Sequence, residues 1–166
     1  MRLASRALYR SRQLFGSVRP RVDEALRQLA FALLNDGQRQ LFSSMTTRDQ
    51  QHCLDVYNAL CKGGHDDGDL LVAALLHDAG KGKIELWHRV AFVMLEATSP
   101  RLLDRVVRPG DGDNWREALY RCRNHPELGA ELARKAGSSE RVAGLISEHA
   151  PEDRQLAALK AADESV

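Results

Sequence analysis

From Leu70 to Leu76 every position is apolar, without the polar interruptions of a half-exposed helix. That pattern belongs to a helix buried on all sides. Elsewhere apolar residues recur at helical spacing and strand signals are nearly absent. The periodicity predicts a helix over residues 22–34, apolar at Ala25, Leu26, Leu29, Phe31, Ala32 and Leu33 and ended by Asn35-Asp-Gly37. A short helix over 38–45 follows. Thr47, with Gln50 three residues on, fits a capping box opening a helix through His52 to about Lys62. Residues 63–68 read as a loop, with Asp69 able to cap the buried helix. Residues 84–97 are again apolar, Ser99-Pro100 restarts a short helix, and 109–114 form a turn-rich loop. Helices near 115–123, 126–136, 139–149 and 152–162 complete the chain, with Pro126 and Pro151 in first turns and Gly137 as a stop. The fold class expected is all-α, an orthogonal helical bundle.

At 166 residues the chain can bury a core without staples, so the expected division is a basic arm over 1–21 and a single helical domain over 22–166. Basic and acidic side chains nearly cancel, 24 against 23, which excludes a generic polyanion binder. No run of about 18 apolar residues exists to span a membrane. Cys53, Cys61 and Cys122 are odd in number and lack Cys-x-x-Cys spacing. They point to a reducing, cytoplasmic setting rather than a disulfide scaffold or zinc ribbon. The arm departs from the balance: Arg2, Arg6, Arg10, Arg12, Arg19 and Arg21 precede the first acid, Asp23. It reads as a solvated tail, as a transit peptide, or as an arm making weak contact with a membrane surface or nucleic acid.

The buried run ends in His77-Asp78. A carboxylate delivered into a core is costly unless something positive meets it. A metal ion is the simplest partner, because imidazole and carboxylate are both ligands for divalent metals. Histidines also stand at His52, His125 and His149, and Asp163 falls in the last helix, with Asp153 its rival. Asp163 is preferred because Leu156, Leu159 and Ala162 turn the end of that helix toward the core. His65 and His88 lie outside the pattern and are expected to face solvent, with His88 able to border a pocket.

The order His52 … His77-Asp78 … His125 … His149 … Asp163, with Gly80-Lys81 after the pair, resembles the HD superfamily of metal-dependent phosphohydrolases. The resemblance covers roughly residues 46–163 and rests most on His77-Asp78-Ala-Gly-Lys81, supported by His125-Pro-Glu-Leu-Gly129. It implies an HD-type bundle in which His52, His77, Asp78 and Asp163 hold one metal. His125 and His149 match the extra histidines of the dinuclear branch, where the carboxylate corresponding to Asp78 bridges a second. One or two divalent ions are implied, with Mn, Fe, Co or Ni favoured and Zn or Mg compatible.

The activity implied is hydrolysis of a small phosphomonoester or phosphodiester, nucleotide-like, by metal-activated hydroxide, with Asp78 and Lys81 as catalytic groups. Lys81 has a second reading, as a cation at a helix C-terminus. The Gly-Tyr-Pro motif and paired His-His of the branch that cleaves cyclic dinucleotides are absent: Ala150-Pro151 follows His149. Two alternatives stand beside phosphohydrolysis, a non-catalytic HD-fold regulatory or interaction module and a di-iron HD-type oxygenase. Homo-oligomerisation is left open.

Overall fold

The computed structural model describes residues 21–82, 84–107 and 114–166. The basic arm to residue 20 and most of the loop over 109–114 lie outside them. Among the described residues all regular structure is helical, as the periodicity predicts. These residues divide into two compact units, one formed by 21–82 with 124–166 and the other by the described part of 83–123.

The first unit starts with α1 (Glu24–Phe31), capped by Asp23, and α2 (Asp36–Ser44), whose Asn35–Gln38 capping box closes both orphan amides. Next come α3 (Thr47–Lys62) and α4 (Gly68–Leu76), followed by a 3₁₀ turn over Ala79–Lys81. The run α7 (Trp115–Lys135) enters this unit after Asn124, where φ −111° and ψ 16° break the helix just before Pro126. Pro126 lacks the amide that a continuous helix would need there. Then α8 (Glu140–Ile146) and α9 (Arg154–Ser165) close the unit.

Helix α4 occupies the middle. All residues from Leu70 to Leu76 are buried, because α2, α3, α8 and α9 all pack against it. A fully buried leucine contributes about 1.5–3 kcal/mol, so this helix anchors the core. Gly137, at φ 82°, stops α7 as the pattern predicts.

Two caps differ from the sequence reading. Thr46, not Thr47, caps α3, and its hydroxyl accepts from the Asp49 amide while donating to the buried Asp49 carboxylate at 2.6 Å. Asp67, not Asp69, caps α4 by accepting from Leu70 N at 3.0 Å. Likewise α9 begins only at Arg154 behind its cap Asp153, leaving Pro151 in the preceding turn. Both aspartate caps converge on one cation. Arg141, on α8, donates to Asp67 at 2.8 Å through each terminal nitrogen and to Asp153 at 2.7 Å through Nε.

Hydrogen bonds from Arg141 hold the Asp67 and Asp153 carboxyls below the usual carboxylate range. A depressed carboxyl stabilises the fold above its unfolded pKa, and that contribution is lost as pH falls through the folded one. Arg141→Met is therefore expected to melt below wild type at neutral pH, with the gap closing in acid below about pH 4. Thermal melts across pH check this; a gap that persists undiminished at pH 2 would refute it.

In the second unit, α5 (Leu86–Thr98) packs on α6 (Pro100–Val106), and Arg123 pairs with Asp104 at 2.8 Å. His88 stacks on Trp87 with ring centroids 3.7 Å apart and accepts from the Glu85 amide, so it serves as a helix-capping group. No helix among the described residues is long and apolar enough to cross a membrane.

Candidate metal centre

Four elements of the first unit bring their side chains to one point. His77 ends α4 at helical angles, and Asp78 then leaves the helix at φ −91°, ψ 0°. That turn aims the Asp78 carboxylate beside its neighbour's ring, with Oδ1 3.4 Å from His77 Nε2. His52 comes from the middle of α3 and Asp163 from the last turns of α9. His52 Nε2 lies 2.8 Å from Asp163 Oδ1 and 4.0 Å from Asp78 Oδ2, while His77 Nε2 is 3.5 Å from the same Asp163 oxygen.

Orientation of the His77 ring is fixed from behind. Nδ1 lies 2.9 Å from the Ala74 carbonyl, an acceptor only, so Nδ1 carries the hydrogen and Nε2 faces the cluster. The two oxygens of Asp78 are used differently. Oδ2 accepts from Lys81 Nζ at 2.5 Å. Oδ1 and His77 Nε2 are buried with no hydrogen-bond partner.

A buried carboxylate oxygen without a partner is expensive. A cation between Oδ1 and the imidazoles would satisfy it, and His52, His77 and Asp163 offer ligand atoms within 4.8 Å of one another. The residues fit a divalent ion. Charge distribution says the same. Burial pushes Asp78 up, but Lys81, His77, His52 and His125 more than offset this and hold its carboxyl well below the usual range. For His77 burial opposes protonation, yet Asp78, Cys53 and Asp163 outweigh it and raise its pKa well above the ordinary histidine value. Asp163 is likewise pulled down against its burial by His52 and His77. Each of these directions favours positive charge among the carboxylates, as a bound cation would supply.

A family profile described as HD domain matches residues 50–164. The chain belongs to the HD-domain family. Neither a comparison with curated proteins nor one with solved structures gives a match.

In this HD domain the predicted core ligands His52, His77, Asp78 and Asp163 are brought together. Asp153 is excluded as the rival of Asp163 by its engagement as the α9 cap. His125, at the break in α7, lines a cavity of about 80 Å³ together with His77, Asp78, Lys81 and Asp163. His149 does not join them: it is exposed and absent from the cavity wall. The reason is local, since α8 ends at Ile146, three residues before the predicted end, and Glu148 at φ 60° redirects the chain.

The approach of α7 to the His77-Asp78 turn explains the two glycines of the motifs. A β-carbon on Gly80 would lie 2.1 Å from the His125 carbonyl oxygen and 2.5 Å from Gly129 N. One on Gly129 would lie 3.3 Å from Gly80 N and from the His77 carbonyl oxygen. Backbone meets backbone here, and that brings His125 to the cavity.

Three residues at the site escaped the sequence reading. Cys53 is buried, with Sγ 3.7 Å from His77 Nδ1, and burial pushes its thiol up. Its position next to His52 was the available signal. Glu148 and Lys160 line the cavity and pair with each other. Lys160 stands three residues before Asp163 on α9, which is the helical spacing for one shared face.

Proposed function

We propose that this HD domain hydrolyses a phosphate ester, with a divalent metal held by His52, His77, Asp78 and Asp163. The observation that carries the reading is the pair of buried, unpartnered atoms, His77 Nε2 and Asp78 Oδ1, on residues that line one cavity with Lys81. When bound, the ion supplies Lewis acidity and a water acidified toward neutral pH.

The chain's own groups do the rest. Ala74 holds the His77 ring so that only Nε2 is offered. Lys81 occupies Oδ2 of Asp78, so the carboxylate cannot rotate freely and Oδ1 would be left to help hold the ion. Lys81 is placed to donate to a phosphoryl oxygen as negative charge builds on it. Leu145, Ile146, Leu156 and Leu159 wall the cavity with hydrocarbon, which strengthens each charge interaction inside it. With His149 on the surface, the grouped ligands favour one ion over two.

Protein purified without chelator is expected to hold about one Mn, Fe, Co or Ni per chain, and to split p-nitrophenyl phosphate or its bis-ester in a metal-dependent way. Elemental analysis and a phosphate-ester screen check this. Bound metal without turnover of any ester, but with oxygen-dependent product formation, would favour the oxygenase chemistry instead. Failure to hold metal even after reloading would favour a non-catalytic module.

A further inference from the structure

The cavity has two ammonium groups at different depths. Lys81 is inside, its side chain 21% exposed and paired with Asp78. Lys160 is on the rim, 47% exposed and paired with Glu148. At about 80 Å³ the space is well above the roughly 10–15 Å³ that one water needs. It is far below the ~300 Å³ at the low end of ligand pockets. A phosphoryl head group fits that range, and a nucleoside does not.

Resting on the phosphohydrolase reading, we propose that Lys160 is the rim contact for the substrate's phosphate, and that Glu148 competes with the phosphate for it. Lys160 shares the cavity-lining face of α9 with Leu156, Leu159 and the candidate ligand Asp163, so its side chain borders the space a phosphoryl group would fill. Its present partner is a carboxylate on the same wall. An incoming phosphate offers three oxygens of greater charge and takes the ammonium over. Glu148 holds an uncommon conformation for a residue with a β-carbon, φ 60°, and such backbone persists where its surroundings enforce it. That keeps a negative charge at the mouth, so the site admits a terminal phosphate strong enough to displace it while the alcohol portion stays outside.

The pairing alone makes a different forecast from the proposal. If Lys160 and Glu148 serve only to hold the segment after α8 against α9, K160Q and E148Q break the same bond and shift phosphate affinity in the same direction. If Lys160 binds the phosphate, the two variants move in opposite directions. The experiment is calorimetric titration of inorganic phosphate into metal-retaining wild type, K160Q, K160R and E148Q, with p-nitrophenyl phosphate turnover measured alongside. K160Q is expected to bind phosphate about tenfold more weakly and to raise KM more than it lowers kcat. K160R recovers most of the affinity, and E148Q binds more tightly than wild type. Wild-type affinity in K160Q, or shifts of one sign in both variants, would overturn the assignment of Lys160 while ester turnover leaves the phosphohydrolase reading standing. A wild-type protein that holds metal yet neither binds phosphate nor splits an ester would overturn that reading and this proposal together.

Discussion

Gly80→Ala is expected to lower the melting temperature by roughly 6–12 °C and to abolish the proposed metal binding in the same step. The added carbon would sit 2.1 Å from the carbonyl oxygen of His125 and 2.5 Å from the amide of Gly129. Both obstacles are backbone, so no side chain can swing away to make room. The 3₁₀ turn and the second half of α7 must separate, at a cost of about 3 kcal/mol or more, the upper range for overpacking. Because the turn carries Asp78 and α7 carries His125, separation widens the cavity at its charged end. Gly68→Ala is the control: its β-carbon meets nothing within 4 Å, and alanine favours a helix by about 0.5–1 kcal/mol over glycine. Melting curves and elemental analysis decide. A Gly80→Ala protein that melts within about 2 °C of wild type and keeps its metal would rule out the close approach.

Asp78→Asn is the second large effect, and it separates chemistry from folding. The amide keeps the size of the carboxylate but not its charge, in a side chain only 1% exposed. Metal retention is expected to vanish and ester turnover to fall by about 10³-fold or more, beyond the 10–100-fold typical of groups that merely support a ligand. The fold survives. Lys81 loses its partner, yet at 21% exposure it reaches water, so the penalty is about 2 kcal/mol rather than the ~3–5 of a fully buried pair. One titration isolates the electrostatics. In chelated wild type, Asp78 is the foremost group raising His77 against its burial. His77 is therefore expected to titrate above the ordinary histidine range, and in Asp78→Asn its pKa is expected to drop. Imidazole resonances followed by NMR check the direction; an unmoved His77 would show that the two side chains are not coupled.

Much of this centre was legible in the chain because its strongest signal is local. Seven apolar residues in a row can only be a buried segment, and His77-Asp78 follows directly. Asp163 was separable from Asp153 by the apolar spacing of Leu156, Leu159 and Ala162, which the packed face of α9 bears out. Caps were less legible. Asp67 and Asp69, or Thr46 and Thr47, are chemically interchangeable in a sequence, and the choice depends on which backbone turns first and on where Arg141 sits. His149 illustrates a further limit: a left-handed angle at Glu148 leaves no compositional trace, yet it decides which way the next side chain faces. The division of the described residues into two units is equally silent, since both halves share the same helical periodicity.

The sealed surroundings of α4 bear on the lifetime of the site. Amides enclosed on every side exchange with solvent only when the whole unit opens, whereas those at exposed helix ends exchange through brief local fraying. His77 and Asp78 are attached to the former kind of segment, Glu148 to the latter. His77 and Asp78 thus share the kinetic protection expected of the core segment they follow, whereas Asp163, in the last turns of α9, is held at a helix end that opens more readily.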